Sequence, residues 1–192
     1  MEIDDNQLDT YSDSLTPNEK ERAGLLRHPE KRLEFLASRH LRTELFGLQQ
    51  IYYSPVGSPF IEHEGFISLS HTKGLVALAH SPLFNVGLDV ESVRAKAVLL
   101  HTRFMHPTEH VFFDAASAHD MSLLWSFKET LFKLADRKGV HFASDLIIRK
   151  EQDDYHGTIH HHGRYEEYPL HSEPYRDYLI TCNTERPKII LH

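Results

Sequence analysis

Val86-Gly87-Leu88-Asp89-Val90-Glu91 alternates apolar and acidic side chains after its glycine. A strand with that alternation puts Asp89 and Glu91 on one face, about 7 Å apart, and Val86, Leu88 and Val90 on the other. Neighbouring carboxylates repel unless a positive charge lies between them. A hard, oxygen-seeking cation such as Mg²⁺ would supply it; a solvent-facing edge with two ordinary acids would need none. Downstream, Trp125-Ser126-Phe127-Lys128-Glu129-Thr130-Leu131-Phe132-Lys133 stacks Trp125, Glu129 and Lys133 on one helical face at four-residue steps. Glu129 can bring a third carboxylate to the same cation. Lys133, one turn on, can hold a phosphate that the cation touches. The other account of this helix is a surface Glu–Lys pair beside a core tryptophan.

Ahead of the acidic strand, the apolar-rich runs Gln50 to Ser54, Phe66 to Ser70 and Leu75 to His80 predict strands, as does Asn85 to Glu91 itself. Thr72-Lys73-Gly74 predicts a hairpin turn. Thr16-Pro17-Asn18-Glu19 predicts a helix start with a capping box. A second helix is expected from Pro29 to Phe46, stopping at Gly47. Leu33, Leu36, Ala37, His40, Leu41 and Glu44 share one face of it, and Lys31, Arg32, Arg39 and Arg42 lie along the opposite edge. Helix returns from Arg94, restarts near His106-Pro107-Thr108-Glu109, and runs from about Asp120 to Arg137. Asp145 to Lys150, Tyr155 to Gly163 and Tyr178 to Thr184 predict strands. Helix-then-strands thus occurs twice, with a seam near residues 91 to 95. The class expected is α+β, as two similar lobes, residues 1–93 and 94–192, each with helices on a small antiparallel sheet.

The chain has 192 residues, 40% hydrophobic and 26% charged, which is ordinary for a globular protein. A net charge of −7 argues against a protein whose main task is neutralising nucleic-acid phosphates. No run approaches the roughly 20 apolar residues of a membrane span. The acidic start, MEIDDNQLDT, and the single Cys182 lead to an expectation of a cytoplasmic protein.

Two further stretches are chemical candidates. Ser68-Leu69-Ser70-His71-Thr72 ends a strand at a hairpin, where Ser70 and His71 could donate hydrogen bonds to a phosphate. Arg103-Phe104-Met105-His106-Pro107-Thr108-Glu109 places Glu109 near a helix start, where simple capping accounts for an acid. His156, His160, His161 and His162 could suggest zinc. A three-histidine run on a strand points to alternate faces, however, so an exposed polar hairpin is expected.

The order and spacing of these stretches resemble the 4′-phosphopantetheinyl transferase superfamily. Val-Gly-Leu-Asp-Val-Glu, followed after residues 92–124 by Trp-Ser-Phe-Lys-Glu-Thr-Leu-Phe-Lys, is similar to its paired strand and Trp-Ser-x-Lys-Glu-x-x-x-Lys helix. Phe-Ile-Ser-Leu-Ser-His-Thr resembles its Ser-His element, Arg103-Phe104-Met105 to Glu109 its Arg-Phe-Phe…Glu element, and Lys31 to Arg39 its basic N-terminal helix. The length resembles the longer surfactin-synthetase-activating branch, in which two lobes of one chain form a pseudo-dimer with the active site between them.

The resemblance implies a monomeric, Mg²⁺-dependent transferase that moves the phosphopantetheine arm of coenzyme A to a serine of an acyl or peptidyl carrier protein. Asp89, Glu91 and Glu129 would hold Mg²⁺. Ser70 and His71 would contact the phosphates of coenzyme A, Arg39 with Arg32 or Lys31 would approach its 3′-phosphate, and Lys133 would face its pyrophosphate. Glu109 would act near the incoming serine, as a base or through water. One departure stands out: Gly57-Ser58-Pro59 replaces a Gly-Lys-Pro element, removing a lysine. A module that only binds coenzyme A or a carrier, and a metal-dependent phosphohydrolase, are the rival expectations.

Overall fold

The computed structural model describes residues 1–136, 138–161 and 163–191. Three helices open the chain: α1 (Leu8–Asp13), α2 (Pro17–Leu25) and α3 (Pro29–Phe46). Helix α2 begins as its sequence predicts, with Pro17 in the first position and a reciprocal Thr16–Glu19 capping box. Of the basic edge of α3, Lys31 and Arg32 are exposed, but its C-terminal half is not the solvated face that charge patterning suggests. Arg39 is 3% exposed and Arg42 0%. Their guanidinium groups close on the buried Glu19 carboxylate, Arg39 Nε 3.0 Å from Oε1 and Arg42 Nη2 3.0 Å from Oε2. A charge taken out of water requires such a partner, so this trio fastens α2 to α3.

β1 (Ile51–Tyr53), β2 (Pro59–Ile61), β3 (Gly65–Thr72) and β4 (Leu75–Ser81) form a four-stranded antiparallel sheet in that order. Leu36 and Ala37 of α3 pack with Val76 of β4 in a small core beneath it. β5 (Leu88–Ser92) follows, then α4 (Ala95–Leu100), short 3₁₀ turns at His101–Arg103 and Pro107–Val111, and α5 (Ala118–Ala135). After α6 (Phe142–Asp145) come β6 (Leu146–Glu151), β7 (Asp154–His161), β8 (Arg164–Tyr175), β9 (Tyr178–Asn183) and β10 (Lys188–Leu191). These strands form a second antiparallel sheet of order β5-β9-β8-β7-β6, with β10 added on β8. Helix α5 lies across it, burying Leu124, Phe127 and Leu131 against Leu146, Ile148 and Ile159. The class is α+β, as expected, with one small and one larger sheet. The acidic strand β5 hydrogen-bonds with the second sheet, Asp89 opposite Thr181 of β9, although it lies before residue 93.

β5 is an edge strand whose outer amides need acceptors. Strand β3 supplies them through side chains. Ser68 Oγ accepts from Leu88 N at 3.0 Å and Ser70 Oγ accepts from Val90 N at 3.1 Å. The alternation of Ser68 and Ser70 along one strand face therefore joins the two sheets. At the start of β5, Gly87 sits where a Cβ would lie 2.5 Å from the Thr130 carbonyl oxygen and 2.8 Å from Leu134 Cγ. Its amide donates to Asn183 Oδ1 at 2.8 Å. Only glycine lets β5 come this close to α5. Gly87→Ala is expected to lose about 1–3 kcal/mol of stability, the usual cost of overpacking, read as a lower urea midpoint with unchanged m-value. Among the described residues, no helix is long and apolar enough to cross a membrane.

Candidate active site

Asp89 is 5% exposed, and three donors fix it. Ser70 Oγ from β3 donates to Oδ1 at 3.0 Å, Lys133 Nζ donates to Oδ1 at 3.1 Å, and Ser126 Oγ donates to Oδ2 at 2.9 Å. Lys133 also donates to the Leu88 carbonyl at 2.6 Å. One acid on β5 is thus held by the first sheet and by two positions of α5, seven residues apart. The spacing Ser126 to Lys133 is two helical turns, which puts both on the face that overlies β5.

Glu129 lies between them on the same face, half-buried, with no hydrogen bond or ion pair among the described residues. Burial, and then the Asp89 charge, pushes its carboxyl up to about 7; Lys133 opposes this and Glu91 adds to it. Glu91 is raised as well, chiefly by burial, against the pull of Arg94 and with a push from Asp89. Its carboxylate is ion-paired with the Arg94 guanidinium. The three acids therefore sense one another across β5 and α5. No group of three or more His, Cys, Asp or Glu side chains is gathered to hold a metal ion among the described residues. The three carboxylates would offer the oxygen ligands that a hard divalent cation takes, with Lys133 and Arg94 offsetting two of their charges and Glu129 without a partner among the described residues.

The raised carboxyl has a consequence for stability. Glu129 ionises near its ordinary 4.5 in the unfolded chain and at about 7 in the folded one. Between those values the folded state holds the extra proton, so stability falls as pH rises from about 4.5 to about 7 and then levels. Glu129→Gln is expected to flatten that fall in a series of thermal melts across the same interval. A mutant with the wild-type slope would contradict the burial of Glu129 beside Asp89.

A cavity of about 920 Å³, within the range of small-molecule sites, has none of the three acids in its wall. Ser70, His71 and Lys133 are in its wall, together with Arg22, Lys31 and Arg39. Asp89 stands behind that wall, joined to it by Ser70 and Lys133. His71 Nε2 and Lys31 Nζ both meet Glu34 Oε2, at 3.2 and 2.9 Å. Arg39 reaches the cavity wall while bonded to Glu19 and, through Nη2, to the Tyr53 hydroxyl at 2.6 Å. Arg32 is exposed and lies outside that wall, one residue round the helix from Lys31. Arg22 was not singled out in the sequence; its guanidinium stacks over Phe35 and Tyr53, 5.4 and 5.2 Å from the ring centres. Its only sequence signal is a basic residue near the end of a well-capped helix. On the opposite rim, Ser54 and Ser58 both donate to Asp136 at the end of α5. Ser58, where the resemblance leads one to expect a lysine, thus ties the β1–β2 loop to the second half of the chain.

Glu109 sits elsewhere in the hydrogen-bond pattern. It is 0% exposed, as is Lys128, whose Nζ lies 2.9 Å from Glu109 Oε2. Glu109 also accepts from His106 N at 2.6 Å and from Ile148 N at 2.7 Å. Lys128 donates its remaining hydrogens to the carbonyls of Phe104 and Phe142. Capping of the Pro107–Val111 turn, the simpler account of Glu109, is what the geometry shows. In the histidine run, His160 packs edge-on to Tyr165. His162 and the His161 side chain lie outside the described residues, as does Arg137.

The model of the 4′-phosphopantetheinyl transferase superfamily matches residues 85–183, more than half of the chain. The chain belongs to that superfamily. The match begins just before β5 and ends with β9, so Asp89, Glu91, Glu109, Ser126, Glu129 and Lys133 all fall within the phosphopantetheinyl transferase region. Ser70, His71 and the arginines of α3 precede it. No curated protein matches the chain.

Proposed function

We infer that this phosphopantetheinyl transferase moves the phosphopantetheine arm of coenzyme A onto a serine hydroxyl of an apo acyl or peptidyl carrier protein, releasing 3′,5′-ADP. The observation that carries this is the joining of Asp89 and Lys133 to a nucleotide-sized cavity, with Glu129 beside them and without a partner among the described residues. Asp89, Glu91 and Glu129 would hold Mg²⁺, with Glu91 exchanging Arg94 for the ion. Bound there, Mg²⁺ would neutralise the pyrophosphate and stabilise the leaving 3′,5′-ADP. Lys133 adds a positive charge at the cavity wall, where the leaving charge grows. His71, Lys31, Arg22 and Arg39 would face the phosphates, and Phe60 and Phe66 offer apolar wall to the rest of the coenzyme.

A serine hydroxyl needs a proton acceptor. Glu109 is closed to it by burial and by its three partners, Lys128 and the amides of His106 and Ile148. A water ordered by Glu129 would take that proton. The attack is direct, since phosphoryl-type transfer needs positioning and charge neutralisation rather than an enzyme nucleophile. Carrier docking falls to the Arg94–Phe113 segment, where Leu99 and Val111 are 81% and 77% exposed beside Arg94, Lys96 and Arg103. The division into two lobes of one monomer, as in the longer branch, fits a cavity lined from both halves of the chain.

Incubation with coenzyme A, Mg²⁺ and an apo carrier, followed by the intact mass of the carrier, tests this. A mass gain equal to one phosphopantetheine arm is expected. Release of 3′,5′-ADP without carrier would point to a phosphohydrolase. Tight coenzyme binding with no mass change across fatty-acid, polyketide and peptide-synthesis carriers would point to a binding module.

A further inference from the structure

Behind Asp89 runs a chain of buried hydroxyls. Ser126, Thr130 and Thr181 are each 0% exposed. Ser126 Oγ lies 2.9 Å from Asp89 Oδ2 and 2.9 Å from Thr181 Oγ1; Thr181 Oγ1 lies 2.8 Å from Thr130 Oγ1. A hydroxyl has one hydrogen to give, and an ionised carboxylate can only accept. Ser126 must therefore donate to Asp89. Its hydrogen is then spent, so Thr181 must donate to Ser126. Thr181 in turn can only accept from Thr130, whose other acceptor within reach is the Thr181 carbonyl at 3.2 Å. The charge on Asp89 orders the hydrogens of Ser126 and Thr181, and each of these bonds polarises the next toward the carboxylate.

We propose that Ser126 and Thr181, backed by Thr130, are positioning residues that turn Asp89 Oδ2 inward and present Oδ1 to the cavity side, where Ser70 and Lys133 meet it. Register makes this possible: Thr181 on β9 is directly opposite Asp89 on β5, and Ser126 and Thr130 are one turn apart on the overlying helix. The serine after the tryptophan of the helix motif thus has a definite task. It is not a phosphate ligand, since it never reaches the cavity wall. Ser70, expected from sequence to touch phosphate, belongs to the same clamp from the other sheet, because its hydrogen goes to Asp89. Partners of this kind, one bond removed from a cation's ligand, commonly change metal affinity 10–100-fold when lost. The functional weight of the clamp rests on the transferase reading above, whereas its geometry does not.

The test compares Ser126→Ala, Thr181→Val and the conservative Thr181→Ser with the wild-type enzyme in two measurements. The first is the Mg²⁺ concentration at half-maximal carrier modification. Thr181→Val and Ser126→Ala are expected to raise it about tenfold, and Thr181→Ser to stay within about twofold. A purely structural loss would lower the melting temperature without moving that midpoint. The second is a crystal structure of each variant. The Asp89 carboxylate is expected to swing or split into two orientations in Thr181→Val and Ser126→Ala, and to stay in place in Thr181→Ser. An unmoved carboxylate together with an unmoved Mg²⁺ midpoint overturns the proposal. If the wild-type enzyme shows no Mg²⁺ dependence, the metal reading fails, and the crystallographic measurement alone decides: a swung carboxylate supports the clamp and a fixed one overturns it.

Discussion

Asp89→Ala is expected to lower kcat/KM for carrier modification by roughly 10³-fold or more, the scale on which one preorganised charge matters at a reacting phosphorus. Removing the carboxylate takes away the acceptor of Ser70, Ser126 and Lys133 together. Among the described residues Lys133 would then be held only by the Leu88 carbonyl, and Glu129 would lose the negative charge that pushes it hardest. Coenzyme affinity should change less than turnover, because the cavity wall at Arg22, Lys31 and Arg39 is untouched. Asp89→Asn guards against a folding artefact: it fills the same space and can accept from Lys133, yet it cannot match the donor order of Ser126 without reversing the hydroxyl chain. It too should be severely slowed while melting close to the wild type. Carrier modification at a tenth of the wild-type rate or better in either variant would contradict the central role of this acid.

Glu109→Ala should give the largest stability loss. It leaves the Lys128 ammonium, 0% exposed, without its counter-charge, and opens the amides of His106 and Ile148. Breaking a buried pair from one side costs about 3–5 kcal/mol, which for a chain of this size is on the order of 10 °C in melting temperature. Replacing both partners, Glu109→Leu with Lys128→Met, should recover much of that loss, since a well-packed apolar pair often equals a buried ion pair. The same variants separate a strut from a base. A folded double mutant that keeps turnover supports the strut. A double mutant with wild-type melting and turnover lowered by orders of magnitude would restore Glu109 to the reaction.

Much of the architecture is visible in the sequence where period and punctuation agree. Thr16-Pro17 with Glu19 starts α2, Gly47 stops α3, and Thr72-Lys73-Gly74 turns β3 into β4. Strand β8 is not visible. Its Glu166-Glu167, Pro169 and Pro174 break the alternation, and it exists because β7, β9 and β10 all pair with it. Strand β2 is hidden for a similar reason, being three residues that begin with a proline. Spacing alone places Glu129 and Lys133 on one helical face; that this face meets Asp89 is a tertiary fact. The roles of charged groups are less visible still. A sequence shows that Arg39, Arg42 and Lys128 are cations, but not that Glu19 and Glu109 are buried opposite them. Local spacing cannot reveal a partner 20 or more residues away, such as Glu19 for Arg39. The hydroxyl chain is the extreme case, because Ser126 and Thr181 are ordinary residues until the register of β5 on β9 brings them to Asp89.

The most direct measurement is a crystal structure with coenzyme A and Mn²⁺ in place of Mg²⁺, read by anomalous scattering. A single peak is expected, with the carboxylates of Asp89 and Glu129 and the coenzyme's pyrophosphate all within coordination distance of it, and Glu91 turned from Arg94 toward the ion. A coenzyme bound with no peak beside Asp89, or a peak that leaves Glu129 pointing away from it, would contradict the account.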